Sequence, residues 1–94
     1  MVKIKNVVAA ADNKAYGWRI NCPACNEIHV VNTTWSFNGD YENPTLSPSL
    51  LVTAPYKGNI DNYVCHSFVT DGKIQFLSDC THDMAGLTVD LPDI

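Results

Sequence analysis

The chain has few basic residues and none near its end. Its 94 residues include six Lys and Arg against ten Asp and Glu, so the formal net charge is −4. No Lys or Arg follows Lys73, whereas four aspartates do. Because binding to a phosphate backbone needs clustered basic side chains, a nucleic acid is not the expected partner. The acidic balance is instead typical of a solvated protein surface.

Long apolar segments are also missing. No stretch approaches the roughly 20 apolar residues that a membrane-spanning helix needs. The N-terminal residues MVKIKNVVAA lack the apolar core of a signal peptide. We therefore expect a cytoplasmic protein without a membrane partner.

The composition indicates one globular domain over residues 1–94. Apolar residues make up 46% of the chain and charged residues 17%, which is typical of a folded domain. A core of this size leaves little stability to spare, so a bound metal ion would add noticeably to it. Four cysteines in a reducing compartment are more often metal ligands or redox thiols than disulfides.

Alternating apolar and polar residues predict a mainly β fold, of a small α+β type, with zinc-ribbon-like β-hairpins. The clearest hairpin spans residues 63–79, with Asp71 and Gly72 in a type I′ turn that requires a positive φ twice. A short helical turn is expected near residues 80–85. The remaining strands are predicted at 2–9, 16–20, 28–37, 49–55 and 87–92, and the main loops at 38–48 and 56–62.

A Cys-x-x-Cys motif lies between two of the predicted strands. In CPAC, Cys22 and Cys25 can bring two thiolates and nearby backbone amides to one tetrahedral ion at a hairpin tip. Zinc is the expected ion, because structural zinc sites use four nitrogen or sulfur ligands of this kind. Two further ligands must then come from elsewhere in the chain.

The second half of the metal site is predicted from strand parity. Counting outward from the Asp71-Gly72 turn places Cys65 and Cys80 on one face of the hairpin and His66 on the other. We therefore predict a zinc site made of Cys22, Cys25, Cys65 and Cys80. His82 is the alternative fourth ligand, since it shares a face with Cys80 if that segment is extended.

Two other interpretations concern the residues around this motif. CPAC is also the thioredoxin-type redox motif, but that chemistry places the first cysteine at a helix N-terminus, and here the motif runs into the strand-like segment IHVV. His29 in that segment is interpreted as a buried core histidine rather than as a metal ligand.

General acid or base chemistry is available from His66, Asp79 and His82. Strand parity puts His66 and Asp79 on the same face of the hairpin, which makes them a candidate pocket. Ser47 and Ser49 offer hydroxyl nucleophiles, yet no nucleophile-elbow signature surrounds them. A turn at the entry of a strand is the interpretation favoured for that segment.

Three separated blocks resemble a family of small phage and prophage proteins of uncharacterised function. These blocks are WSFNGDYENPTLSPSLLV, CHSFVTDGKIQFLSDCTHDMAG and TVDLPDI, and the resemblance covers about residues 16–94. It implies that CPAC, CHSFV and DCTH contribute to one shared site. Some members carry the label ammonia monooxygenase, but this chain is too short and lacks both a membrane span and a copper-type histidine set.

These observations favour a zinc-stabilised binding module over an enzyme. The expected partner is a host or phage protein, engaged through the loop 38–48, and the expected location is the host cytoplasm if the chain is phage-encoded. The alternative is a metal-dependent hydrolase, in which an open zinc position activates water beside His66, Asp79 or His82. That alternative requires three protein ligands on the metal rather than four.

Overall fold

Eight strands form two antiparallel sheets. The computed structural model describes the backbone of residues 1–57 and 60–94 and the side chains of 1–53 and 63–94. One sheet has the order β1-β2-β3, from Lys5–Val8, Ala15–Cys22 and Glu27–Asn32. The other has the order β4-β5-β6-β7-β8, from Ser36–Phe37, Leu46–Lys57, Ile60–Thr70, Lys73–Phe76 and Thr88–Asp90. The predicted mainly β fold is confirmed.

The described residues contain no helix, and therefore none that is long enough to cross a membrane. Where a helical turn was expected near residues 80–85, the chain makes tight turns instead. The Ala85 N–H donates to the His82 carbonyl and the Leu87 N–H to the Met84 carbonyl. The Gly86 N–H donates to the Phe76 carbonyl, so this segment is also bonded to β7.

The Asp71-Gly72 turn has the geometry that the sequence predicts. The φ angles of Asp71 and Gly72 are 50° and 78°, and the register pairs Thr70 with Lys73 and Ser67 with Phe76. Gly72 also donates its N–H to the Pro44 carbonyl. The turn therefore fixes the register of β6 and β7 and holds the preceding loop.

The predicted strand over residues 28–37 is interrupted. β3 ends at Asn32, because its carbonyl accepts the Trp35 N–H at 3.1 Å and its side chain accepts the Thr34 N–H at 2.9 Å. After this turn, Ser36 and Phe37 pair with β5 in the other sheet. The chain thereby passes from one sheet to the next within four residues.

The loop after β4 is braced by its own side chains. Asn38 Oδ1 accepts the N–H groups of Asp40 and Thr45, and Asp40 Oδ1 accepts those of Glu42 and Asn43. The predicted loop 38–48 is shorter than expected, since β5 begins at Leu46. Most of the predicted loop 56–62 is strand, and its residues 58–59 lie outside the described part of the chain.

The core is formed by side chains from both sheets. The three-stranded sheet contributes buried residues such as Ile20 and Val31, and the five-stranded sheet contributes Leu50, Val69 and Phe76. Cys22, Cys25, Cys65 and Cys80 are buried in the same cluster. Burial of these apolar surfaces is the main term that holds the two sheets together.

Candidate metal centre and a Ser-His-Asp relay

Four buried side chains form a candidate metal centre between the two sheets. They are Cys22, Cys25, His29 and Cys65, and their ligand atoms all lie within 4.8 Å of one another. Three come from the β2–β3 hairpin, whereas Cys65 comes from β6 of the other sheet. A metal ion at this point would join the two sheets.

The CPAC turn has the conformation of a metal-binding knuckle. Cys22 ends β2 and Glu27 begins β3, so both thiols lie at the hairpin tip, as the sequence predicts. The Asn26 N–H donates to the Cys22 carbonyl at 3.0 Å, and Asn26 takes a φ of 56°. The Cys25 N–H points at Cys22 Sγ from 3.4 Å, which stabilises a thiolate there.

His29 reaches the centre through the register of the hairpin. Cys22 pairs with Glu27 and Ile20 pairs with His29, so His29 and Cys22 are diagonal neighbours on one face. His29 is buried, with 5% of its surface exposed, and its Nε2 has no hydrogen-bond partner. A buried nitrogen without a partner is costly, and coordination to a metal ion would satisfy it.

The distances within the centre fit a tetrahedral ion. Cys22 Sγ and Cys65 Sγ are 3.9 Å apart. Zinc–sulfur bonds of about 2.3 Å in tetrahedral geometry would place two sulfurs about 3.8 Å apart. Three thiols and one imidazole are also a common donor set for structural zinc. The residues present therefore fit a metal of this type.

The electrostatics of the cluster favour a bound cation. The contact with Cys65 is the main cause that lowers the pKa of Cys22, to about 3, with a further contribution from His29 and opposition from burial. The same contact with Cys22 is the main cause that raises the pKa of Cys65. Burial raises the pKa of Cys25. One thiolate thus suppresses the ionisation of the others, and a divalent cation would relieve this repulsion.

The Tyr63 hydroxyl contacts one of the cluster thiols. It lies 2.8 Å from Cys25 Sγ, and both groups are buried. Burial, followed by the contact with Cys25, raises the pKa of Tyr63. A hydroxyl that keeps its proton can donate to a metal-bound thiolate, which is the role that such outer contacts play at metal sites.

Cys80, predicted as the fourth ligand, has different contacts. Its Sγ accepts the backbone N–H of His66 and donates to the His66 carbonyl, both at 3.2 Å. The buried cluster contains His29 and not Cys80. The alternative ligand His82 is also elsewhere, since its Nδ1 accepts the Met84 N–H and its ring packs edge-on against Phe76.

A second set of polar side chains lies on the other face of β6. His66 Nδ1 is 3.0 Å from Asp79 Oδ2, and His66 Nε2 is 3.1 Å from Ser49 Oγ. Because a carboxylate can only accept, Nδ1 donates to Asp79, and in the neutral imidazole Nε2 then accepts from the serine hydroxyl. Ser49, His66 and Asp79 therefore form a continuous hydrogen-bonded relay.

The backbone around His66 is fixed by the segment that carries Asp79. Besides the two contacts of Cys80, the Leu77 N–H donates to the His66 carbonyl at 2.9 Å. Thr81 contacts Val64, two residues before His66: its N–H donates to the Val64 carbonyl and its Oγ1 accepts the Val64 N–H. Residues 77–81 are thus hydrogen-bonded along β6, and this places Asp79 beside the imidazole of His66.

Ser49 reaches His66 because β5 is irregular at this point. Leu46 pairs with Val69 and Leu50 with Ser67, so residues 47–49 form a bulge opposite Phe68. The Trp35 indole N–H donates to the Pro48 carbonyl at 3.1 Å, which holds the bulge. Bulges often re-aim a side chain beside an active site, and here the bulge turns the half-buried Ser49 toward His66.

The sequence predicts the pair of His66 and Asp79, and it offers Ser49 only as a possible nucleophile in a segment favoured as a turn. His82, the third candidate for acid or base chemistry, contacts Met84 and Phe76 instead. The contact between His66 and Asp79 is the one that strand parity predicts. Ser49 was given a turn role, because the bulge and the pairing of β5 with β6 are long-range features without a local signature. His29 was missed as a cluster member, although counting outward from the CPAC turn pairs it with Ile20 on the face of Cys22.

Comparison with known proteins gives one family match. No curated protein and no solved structure matches the chain. The family described as bacterial ubiquitination-like system serine protease (BubE) matches residues 2–77, a segment that includes all four cluster residues as well as Ser49 and His66. Because this match covers well over half of the 94 residues, the chain belongs to the BubE family.

Proposed function

We propose that this protein is a serine protease that hydrolyses a peptide bond with Ser49 as the nucleophile. The observation that carries the proposal is the relay from Ser49 Oγ through His66 to Asp79, with contacts of 3.1 Å and 3.0 Å. A serine, a histidine and a carboxylate in this order form the arrangement that activates a hydroxyl for acyl transfer. The family description agrees with this chemistry.

The three residues of the relay have different roles in the reaction. Ser49 Oγ attacks the carbonyl carbon of the scissile peptide bond while His66 Nε2 accepts its proton. His66 then gives that proton to the leaving amine as the carbon–nitrogen bond breaks, and the acyl group stays on Ser49. A water molecule, deprotonated by the same nitrogen, hydrolyses the ester and restores the hydroxyl. Asp79 holds the Nδ1–H and stabilises the imidazolium that forms twice in the cycle.

The metal centre has a structural task in this proposal. Zinc held by Cys22, Cys25, His29 and Cys65 would join the two sheets and fix β6 at Cys65, one residue before His66. Alternation along a strand sends these two side chains to opposite faces. This arrangement supports hydrolysis by the serine rather than by metal-activated water, because four protein ligands leave zinc no open position.

The proposal keeps a protein as the binding partner. A protease must engage a polypeptide, and a host or phage protein stays the predicted class of partner. If the relay proves inactive, the zinc-stabilised binding module that the sequence favours is the remaining candidate. The experiment below separates the two.

The test is covalent labelling with a fluorophosphonate probe, followed by peptide mapping and by hydrolysis of a mixed peptide library. We expect the label on Ser49, and we expect Ser49→Ala and His66→Ala to lose at least about 10³-fold in hydrolysis rate. Ser47→Ala is the matched control, since it removes a hydroxyl from the same bulge without touching the relay and should leave the rate unchanged. Equal labelling of wild type and Ser49→Ala, or no hydrolysis by wild type, would overturn the proposal.

A further inference from the structure

Among the side chains that the structure describes, the exposed apolar ones on the outer face of the five-stranded sheet lie beside the relay. On this face, Leu51 is 59% exposed and Phe68 is 43% exposed. Other exposed positions of the same face in β5 to β8 carry polar side chains, namely Thr53, Thr70, Lys73, Gln75, Thr88 and Asp90. Single exposed apolar residues are ordinary on protein surfaces. The significant feature is that Leu51 and Phe68 both lie beside the relay.

Leu51 and Phe68 flank the nucleophile on two sides. Leu51 is the cross-strand partner of His66, and side chains paired in this way lie about 5 Å apart. Phe68 follows His66 by two residues on the same face and lies opposite the bulge that carries Ser49. Ser49 therefore has an exposed leucine two residues along its own strand and an exposed phenylalanine on the neighbouring strand, and the side chains of Leu50, Ser67 and Val69 are buried in the core.

We propose that these two side chains receive a large apolar side chain of the substrate, on the residue whose carbonyl Ser49 attacks. This inference rests on the proposed protease function and names its substrate class: a polypeptide with Leu, Phe or a residue of similar size directly before the scissile bond. The attacked carbonyl must lie about 3 Å from Ser49 Oγ, so the side chain on that residue falls within reach of Leu51 and Phe68. A charged or small side chain there would leave both apolar surfaces exposed to water.

The test is a series of peptide substrates that differ only in the residue before the scissile bond: Phe, Leu, Ala, Ser, Lys and Asp. For the wild-type protein, we expect kcat/KM for Phe and Leu to exceed that for Ala and Asp by about 10- to 100-fold, the range that an apolar pocket supplies. Leu51→Ser and Phe68→Ser should each reduce this preference mainly through a higher KM. Leu51→Met, which keeps an apolar surface, should retain it.

Val30→Ser is the matched control, because Val30 is 53% exposed on β3 of the other sheet and lies far from the relay in the strand order. It should keep the wild-type preference. Equal kcat/KM across the series, or a preference that survives in both serine variants, would overturn the substrate assignment while Ser49 labelling leaves the protease function in place. Absence of both labelling and hydrolysis would overturn the two proposals together.

Discussion

At the scale of single residues, the candidate metal centre contains His29, whereas the sequence predicts Cys80 as the fourth ligand. Cys80 contacts the backbone of His66, whereas His29 completes the buried cluster with Cys22, Cys25 and Cys65. Metal content therefore distinguishes the two donor sets. We expect His29→Ala to lower zinc occupancy severalfold and Cys80→Ala to retain one zinc per chain, as measured by elemental analysis of protein purified without chelator.

The opposite result, with zinc lost from Cys80→Ala and kept in His29→Ala, would restore the donor set predicted from the sequence. The same pair of variants has a second readout. Cys80→Ala leaves the His66 N–H without its sulfur acceptor, so hydrolysis should fall even though the metal stays. Cys80→Ser, which keeps an acceptor at that position, should recover part of the rate.

Asp79 gives a residue-scale prediction for the relay. Asp79→Asn removes the acceptor that holds the Nδ1 proton and allows the imidazole to take the other tautomer, in which Nε2 no longer accepts from Ser49. We expect kcat to fall by about 10²- to 10⁴-fold, with the free energy of unfolding nearly unchanged because the Asp79 side chain is 56% exposed. Steady-state kinetics and chemical denaturation on the same preparation measure both quantities.

A rate that survives in Asp79→Asn would mean that Ser49 and His66 act as a pair without the carboxylate. Asp83→Asn is a suitable control, since Asp83 is exposed in the turn segment beyond the relay and should change neither quantity.

At the scale of strands and turns, the sequence predicts the features that depend on residues close together in the chain. The CPAC knuckle and the Asp71-Gly72 turn depend on residues within four positions of one another, so both were found from the sequence. The break in β3 was missed, because Thr33 and Trp35 continue the alternation while the Asn32 side chain ends the strand. The bulge at residues 47–49 depends on partners in β4 and β6, and no local pattern marks it.

The Asp71-Gly72 turn provides a prediction at this scale. A Cβ on Gly72 would lie 3.2 Å from Asn43 Cα and would force a side-chain residue into a φ of +78°. We expect Gly72→Ala to lower the free energy of unfolding by at least about 1 kcal/mol, which corresponds to a melting temperature about 4–8 °C lower in a domain of this size. Thermal unfolding followed by circular dichroism measures the shift.

An unchanged melting temperature in Gly72→Ala would show that neither the contact with Asn43 nor the positive φ costs stability. Gly39→Ala is the matched comparison, since Gly39 also has a positive φ, of 83°, but a Cβ there meets no atom within 4 Å. Its smaller loss would isolate the backbone strain from the contact with Asn43.

At the scale of the whole molecule, a metal ion in the candidate centre would connect two sheets that also pack through apolar side chains. Without an ion, three thiols and an imidazole are buried together between the β2–β3 hairpin and β6. We expect a strong chelator to lower the melting temperature by at least about 10 °C, since a ligand bound at 1,000 times its Kd contributes about 4 kcal/mol to stability. Hydrolysis should be lost in the same titration and should return when zinc is added back.

A protein that loses its metal but keeps its melting temperature and its activity would contradict this structural role. Ser49→Ala serves as the control, because its melting temperature should fall on chelation by the same amount although it has no activity to lose. An equal decrease in the melting temperature of both proteins would show that the metal stabilises the fold whether or not the protein is active.

Cys65 and His66 are consecutive residues of β6, and a strand sends consecutive side chains to opposite faces. A shift of β6 by a single residue against β5 would exchange the two faces, moving the thiol away from the other ligands and the imidazole away from Ser49 at once. If the cluster binds a metal ion as proposed, the chains that hold the ion are those in which the histidine faces the serine. In any preparation of the wild-type protein, the fraction of chains labelled by an active-site probe should equal the fraction of chains that contain metal. Elemental analysis would then measure the fraction of active protein.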